Sequence, residues 1–137
     1  MRKKKILIIG TIFFIILIVF GIGFYMYNKP RQSAANEAAV GSLTAALLFK
    51  QYQENEHVAD RNYLGKVIEV QGVLSTISQD DKLDILFLSS GNPAGGINCQ
   101  LFAGNKNNTL KVGDAITVKG KCTGFLMDVN MVDCVIK

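Results

Sequence analysis

The fold of this chain is indicated most clearly by the stretch Leu110-Lys-Val-Gly-Asp-Ala-Ile-Thr-Val-Lys-Gly-Lys-Cys122. From residue 116 to residue 123, apolar or small residues at even positions alternate with Thr or Lys at odd positions. Alternation with a period of two is typical of a β-strand with one buried face, and the Val-Gly-Asp before it is typical of a turn. We therefore predict a strand over residues 115–124, with Ile116, Val118, Gly120 and Cys122 facing a core.

Other segments on either side of this strand show related strand patterns. We predict strands at residues 66–78, 83–89, 97–101 and 128–136, with turns or loops at 78–82, 90–96, 103–109 and near Met127. In the first of these strands, Gly72 interrupts the alternation and predicts a bulge or bend. In the last, Val132, Cys134 and Ile136 should face inward. Five strands in one short domain, the first of them bent, predict a mainly β fold that closes into a small barrel.

A short helix should precede the barrel. Ser42 or Thr44 is a suitable N-cap for a helix that continues to about Asn62. Leu47, Leu48 and Tyr52, with Val58 or Ala59, would form its apolar stripe. We therefore predict a domain over residues 42–137 that contains one helix and the barrel.

The N-terminal segment predicts a membrane helix. Four basic residues lie within residues 1–5, and residues 6–27 carry no charge. A helix of that length spans roughly 33 Å, which is enough for a bilayer core. The run ends in Phe24-Tyr-Met-Tyr27, where signal-peptide cleavage requires small residues, so we predict an uncleaved signal-anchor. Late cleavage near Ser33-Ala-Ala35 is the alternative.

The flanking charges predict the orientation of this helix. Basic flanks remain in the cytoplasm, and only Lys29 and Arg31 follow the helix closely. We predict a single-pass protein of the cytoplasmic (inner) membrane, with residues 1–5 inside and the barrel in the periplasm or exterior. Residues 28–41, which are polar and rich in small residues, are predicted to be the linker.

The charge balance argues against non-specific nucleic-acid binding by the exported part. The chain has 15 Lys and Arg residues and 11 Asp and Glu residues, which gives a formal net charge of +4. Four of the basic residues belong to the N-terminal flank, so the remaining 11 basic residues balance the 11 acidic ones. A protein that binds nucleic acid through its phosphates needs clustered Lys and Arg in excess.

Three segments together resemble the tRNA_anti-like family: Tyr63-Leu-Gly-Lys-Val-Ile-Glu-Val-Gln-Gly-Val73, the stretch 110–122, and Asp128-Val-Asn-Met-Val-Asp-Cys134. The resemblance covers residues 43–137 and the arrangement of the anchor. It implies a five-stranded OB-fold barrel related to anticodon-binding domains. It also implies an alternative function, which is binding of single-stranded nucleic acid or tRNA. Lys66, Lys119 and Lys121 would then contact phosphates.

The cysteines give a structural prediction that has two readings. Cys99, Cys122 and Cys134 should all project into the barrel, and Cys122 and Cys134 flank the last turn symmetrically about Asp128. Opposed cysteines in an exported domain can form a disulfide, so this pair is our candidate. The alternatives are another pairing or three buried, reduced thiols. The spacings of 23 and 12 residues fit no zinc ligand pair, so we predict no metal site.

OB-folds usually bind ligands on the face of their second and third strands, between the first and last loops. Here the first loop carries Asp80 and Asp81, whereas the last loop is apolar, and Phe87 is expected in the core. An apolar loop predicts contact with protein, the anchor helix or lipid, unless Phe125 or Leu126 simply caps the barrel. The predicted ligand-binding residues are Phe102, Phe125, Leu126 and Met127.

No pattern of catalytic residues is visible. His57 is expected to be a solvated helix residue, and the chain has no phosphate-binding loop, dinucleotide fingerprint or nucleophile motif. We therefore predict a membrane-anchored, extracytoplasmic binding or assembly module that is not an enzyme. It would need no cofactor and would bind a protein or a small molecule.

Overall fold

The computed structural model describes residues 2–28, 33–79, 84–103 and 109–137. The chain divides into two compact units, Met1–Arg31 and Gln32–Lys137. The first contains helix α1 (Arg2–Tyr27). Within α1, Gly10–Tyr27 has a mean hydropathy of 2.2, and among the described residues this is the one helix long and apolar enough to cross a membrane. A membrane anchor and a signal sequence both have this length and composition.

The second unit is built around a closed barrel of five strands. They are β2 (Val67–Gln79), β3 (Asp84–Asn92), β4 (Gly95–Leu101), β5 (Ala115–Leu126) and β6 (Asp128–Ile136). Their order is β2-β3-β4-β6-β5, and β5 pairs with β2 to close the ring. Only the β4–β6 pair is parallel within the ring. The predicted OB-fold barrel is therefore confirmed, and a short strand β1 (Ser42–Thr44) adds to β2 in parallel.

The predicted helix is present, but it is divided in two. The Thr44 hydroxyl accepts a hydrogen bond from the Leu47 amide at 3.2 Å and caps α2 (Ala45–Glu54). Asn55 has an extended backbone conformation and ends α2. Its side-chain oxygen accepts a hydrogen bond from the Val58 amide at 3.1 Å and so caps the start of α3 (Glu56–Tyr63). Because an Asn side chain can satisfy a free helical amide, one residue serves as the end of one helix and the start of the next.

Helix α2 covers the barrel with a face that differs from the predicted stripe. Leu48, Phe49 and Tyr52 are buried, whereas Leu47 is exposed. The helix can approach closely because Gly72 has no side chain, and a Cβ there would lie 3.0 Å from Ala45 Cβ. In α3, Ala59 is buried and Val58 is exposed.

Gly72 is therefore a contact point for α2 rather than the predicted bulge. The register of β2 against β3 shifts later, between Leu74 and Thr76.

The predicted loop at 90–96 is also shorter than expected, because Asn92 pairs with Gly95 across a turn of two residues. In the predicted turn 78–82, Ser78 and Gln79 belong to β2, and residues 80–83, with Asp80 and Asp81, lie outside the described part of the chain. So do residues 104–108 of the predicted loop 103–109.

The described part of the predicted linker lies against the barrel. Ser33 caps a 3₁₀ turn at Ala34–Asn36, and Ala34 is buried. The Lys119 amine donates to the Ala35 carbonyl at 3.2 Å, and the Val40 amide donates to the Val67 carbonyl at 2.8 Å. Residues from Ser33 onward are thus attached to the folded unit, and residues 29–32 of the linker lie outside the described residues.

The β5–β6 hairpin corrects the predicted cysteine pair. Leu126 pairs with Asp128, so the turn is centred on Met127 rather than on Asp128. Cys122 consequently lies opposite Met131, while Cys134 aligns with Leu101 of β4. All three cysteines are free and buried, and the predicted Cys122–Cys134 disulfide is not present in the structure.

A bulge explains the altered inner face of β6. The β5–β6 register shifts between the pairs at Lys119 and Lys121, and Asp133 has a φ of 53°. An extra residue in one strand reverses the side that following residues face. Val132, which was predicted to face inward, is only half-buried, whereas Val129, Met131 and Cys134 are buried in the core.

Candidate ligand-binding surfaces

The tip of the β5–β6 hairpin exposes two large apolar side chains. Leu126 is 82% exposed and Met127 is 78% exposed, more than any other large apolar side chain described in the barrel unit. We call these two residues the hairpin tip. Single exposed apolar residues are common on protein surfaces, but adjacent ones on a projecting turn are suited to contact with another apolar surface.

The hairpin tip is held in place by contacts behind it. Met127 has a φ of 67°, in the left-handed region that costs energy for a residue with a side chain. The Asp128 carboxylate accepts a hydrogen bond from the Gly96 amide at 2.8 Å, which ties the hairpin to the start of β4. A Cβ at Gly95 would lie 2.8 Å from the Met127 carbonyl oxygen, so the two backbones touch. The tip is therefore fixed against β4 before it meets any ligand.

Phe125 does not belong to the exposed tip. Its ring stacks on Tyr52 with centroids 5.5 Å apart and an angle of 19°, and it meets Phe49 edge-on at 5.8 Å. Aromatic pairs with these geometries contribute to packing. The sequence left open whether the apolar loop contacts a partner or caps the barrel. Phe125 caps the barrel, whereas Leu126 and Met127 are exposed and free to contact a partner.

The fourth predicted binding residue, Phe102, lies in a different place. It lines a cleft of about 570 Å³, together with Lys119, Lys137 and residues of the 3₁₀ turn. The amines in this cleft already have partners, because Lys119 donates to a carbonyl and Lys137 contacts the Glu69 carboxylate at 2.5 Å. The structure therefore brings Phe102 to Lys119 rather than to the hairpin tip.

The three lysines predicted as phosphate contacts are only partly available. The Lys66 amine donates to the Arg61 carbonyl at 3.0 Å, and Lys119 is engaged as described above. Lys119 and Lys121 both lie on β5, opposite Glu69 and Val67 of β2. Lys121 is exposed on the surface of β5, and Glu69 lies opposite the neighbouring lysine of that strand, Lys119. Lysines next to a carboxylate form a weak site for a phosphate chain.

Phe87 lies on the outer face of the barrel and not in the core as expected. Leu86 and Leu88 on either side of it are buried, whereas Phe87 is half-buried. Its ring covers Gly96, where a Cβ would lie 2.9 Å from two ring atoms. The sequence did not indicate this because β3 is apolar on both faces, so periodicity could not identify the inner one.

Amide side chains surround Phe87 on this outer face. Phe87 pairs with Asn98, which pairs with Asn130 of β6, and Ile85 pairs with Gln100. We call Phe87, Asn98, Gln100 and Asn130 the amide face. The amide face lies on β3 and β4, which are the second and third strands of the barrel, and extends to β6. It offers an aromatic ring beside amide groups that can both donate and accept hydrogen bonds.

Two buried polar groups of the core, on Tyr52 and Cys122, contact each other. The Tyr52 hydroxyl and the Cys122 sulfur are hydrogen-bonded at 3.3 Å. Burial raises the pKa of Tyr52, and burial also raises the pKa of the Cys122 thiol, with the Asp60 carboxylate acting in the same direction on both. A thiol that stays protonated and has no access to solvent is a poor nucleophile. His57 is exposed on α3, and the described residues include no cluster of His, Cys, Asp or Glu that could hold a metal.

The chain is similar to one protein family and to several solved structures. The model of the tRNA_anti-like family matches residues 1–136. The crystal structure of a lipoprotein from Klebsiella pneumoniae subsp. pneumoniae MGH 78578, named as a candidate nucleic acid-binding protein, superposes with a TM-score of 0.59 at 17% identity. The match covers 80% of this chain and 99% of that one. An OBody bound to hen egg-white lysozyme matches 52% of this chain and 75% of its own, with a TM-score of 0.42 and 17% identity. A search of curated proteins finds no match.

Proposed function

The chain belongs to the tRNA_anti-like family, and on this premise we propose that it is a membrane-anchored, extracytoplasmic OB-fold module that binds a protein partner and is not an enzyme. The observation that carries this proposal is the fixed hairpin tip. Leu126 and Met127 present apolar surface on a turn that is already held by the Asp128–Gly96 hydrogen bond. Because the tip is fixed in advance, little conformational entropy would be lost when a partner covers it.

The N-terminal segment supports the anchoring. Helix α1 contains an apolar run long enough to span a bilayer, and the four basic residues before it favour a cytoplasmic N-terminus. The similar Klebsiella protein is named as a lipoprotein, so this fold also occurs in a protein with a lipid attachment. The neutral charge of the residues beyond the flank favours a protein partner over a polyanion.

The first prediction concerns the hairpin tip. Replacing Met127→Ser should weaken partner binding at least about tenfold, because the removed side chain would otherwise bury apolar area worth about 1.5–3 kcal/mol. Stability should hardly change, since this side chain is exposed. The measurement is photo-crosslinking in native membranes from a photoreactive residue at 126, with and without Met127→Ser.

Val112 provides the matched control for this experiment. It is 63% exposed and lies in the turn before β5, at the opposite end of that strand from the tip. A photoreactive residue at 112 should give no discrete adduct, while the residue at 126 should give one that Met127→Ser reduces several-fold. Equal adducts from both positions, or an adduct at 126 that is insensitive to Met127→Ser, would contradict the assignment of the tip.

The amide face favours a second candidate function, which is binding of single-stranded nucleic acid. Phe87 offers a stacking surface, and Asn98 and Asn130 offer the groups that hydrogen-bond base edges. If this face binds nucleic acid, Phe87→Ala should weaken binding of a fluorescent oligonucleotide about 5- to 150-fold, because one base would lose the ring on which it stacks. The fluorescent oligonucleotide is titrated with the full chain in detergent micelles at low salt, and its fluorescence anisotropy is followed. An anisotropy that does not change on addition of the parent chain would exclude this second function.

A further inference from the structure

The hairpin tip is continued on one side by a third exposed apolar residue. Leu64 follows the last residue of α3, and its side chain is 46% exposed. A Cβ at Gly124 would lie 3.4 Å from Leu64 Cδ1, so Leu64 lies against β5 two residues before Leu126. Leu64, Leu126 and Met127 therefore form a row of apolar side chains from α3 to the end of the hairpin, which we call the apolar row.

Three basic residues lie close to the α3 end of the apolar row. Arg61 and Lys66 stand on either side of Leu64 in the chain, and the Lys66 amine lies 3.0 Å from the Arg61 carbonyl oxygen. Lys121 of β5 is paired with Val67, the residue that follows Lys66. All three basic side chains are exposed. We call Arg61, Lys66 and Lys121 the basic cluster.

The charge of the basic cluster has no counter-ion within the described residues. Lys50 and Lys137 each form an ion pair there, but no member of the cluster does. Glu69, the acidic residue of β2 nearest to Lys121, is the partner of Lys137. Asp60 has a buried carboxylate oxygen, and Asp128 is bonded to the start of β4. The cluster is therefore available to carboxylates from outside the chain.

The other side of the hairpin tip is uncharged. There the tip touches Gly95, and residues 91–96, which include the turn between β3 and β4, contain no charged residue. A flat lipid surface would contact both sides of a projecting tip, whereas a segment of polypeptide can follow the apolar row to the basic cluster. The row and the cluster together extend roughly 15 Å, which is about five residues of extended chain. The asymmetry therefore favours a protein segment over a bilayer.

We propose that the partner is a second protein that meets this surface with an acidic, apolar segment. Apolar side chains of the segment cover the apolar row, and its Asp or Glu side chains lie against the basic cluster. Buried apolar area supplies most of the affinity, and the opposite charges set the orientation and exclude basic segments. Arg61 is suited to this contact because a guanidinium can bind a carboxylate through two parallel hydrogen bonds. This inference rests on the proposed function and adds the chemistry of the partner.

The test applies charge reversal to the photo-crosslinking from residue 126 of the full chain in native membranes. Arg61→Glu should lower the yield of the protein adduct about five- to tenfold, because a like charge then faces the carboxylates of the partner. Lys111→Glu is the matched control, since Lys111 is exposed in the turn before β5, at the far end of that strand, and it should leave the yield unchanged. An adduct that Arg61→Glu does not affect, or that Lys111→Glu affects equally, would overturn the inference and leave the hairpin tip as a binding site.

Mass spectrometry of the adduct gives the chemistry of the partner directly. Within about five residues of the link, the length of the proposed contact, we expect at least one Asp or Glu. Its replacement by Lys should lower the yield with the parent chain and restore it with Arg61→Glu, because the two charges are then exchanged. A linked segment without a carboxylate, a lipid adduct, or an adduct between two copies of this chain would each overturn the inference. The absence of any adduct at 126 would contradict the proposed function itself.

Discussion

Gly120→Ala should lower the free energy of unfolding of the barrel by about 3 kcal/mol, because an added methyl group in a closed core forces its neighbours to move. The Cβ would overlap the Cys134 sulfur and lie 3.2 Å from Met131 Cε. Both neighbours are buried, so neither can turn out to solvent. Urea unfolding of the full chain under reducing conditions, followed by circular dichroism, measures the change.

A second substitution tests the cause of this loss. Cys134→Ala removes the sulfur that the new methyl group meets, so the double variant should recover about 1–2 kcal/mol relative to Gly120→Ala alone. Gly41→Ala is the matched control, because a Cβ there meets nothing within 4 Å, and it should leave stability almost unchanged. Additive effects of Gly120→Ala and Cys134→Ala would show that the two side chains do not compete for the same space.

The second large effect is a loss of stability in alkaline solution. The hydrogen bond with Cys99, together with burial, raises the pKa of the Cys134 thiol, and burial raises the pKa of the Cys122 thiol and of Tyr52. In the unfolded chain these groups ionise near their ordinary values of 9.0 and 10.0. The folded state therefore keeps protons that the unfolded state loses, so stability is complete below the unfolded values and falls as the pH rises above them.

The expected size of this loss follows from proton linkage. Between about pH 8 and pH 10 the Cys134 thiol alone should remove about 1.4 kcal/mol from the free energy of unfolding, and Cys122 and Tyr52 should increase this loss. Urea titrations of the reduced chain at several pH values measure it. Cys134→Ala should make the decrease about 1.4 kcal/mol smaller over the same range, because one buried thiol no longer titrates. An identical pH profile for this variant and the parent chain would contradict the protonated thiol in the core.

Most of the fold could be predicted from alternation, turn residues and the N-terminal apolar run. The inner face of β5, with Val118, Gly120 and Cys122 buried, follows directly from the period of two. The prediction failed in β6 because a bulge depends on how two strands meet and leaves no local pattern. Val132 was therefore wrongly predicted to face the core, and Cys134, which does face the core as predicted, was assigned the wrong partner. The break at Asn55 also depended on context, because Asn is compatible with the interior of a helix as well as with a cap.

The candidate surfaces were less accessible to prediction for a related reason. Leu126 and Met127 could be identified because an apolar pair in a turn has no local structural explanation. Phe87 could not, because Ile85, Leu86, Phe87 and Leu88 are all apolar and only their burial in the folded barrel shows which two face outward. Gly96, over which the Phe87 ring lies, was the one available signal, and in the sequence the pair Gly95-Gly96 looks the same as an ordinary pair of loop glycines.

The proposed function depends most on the side of the membrane that the barrel occupies. Alkaline phosphatase and green fluorescent protein, each fused after Lys137 of the full chain and expressed in a bacterial host, test this directly. The phosphatase acts only after export and the fluorescent protein only in the cytoplasm, so we predict an active phosphatase and a dark fluorescent fusion. A fluorescent fusion with an inactive phosphatase would place the barrel in the cytoplasm and contradict the proposed extracytoplasmic binding module.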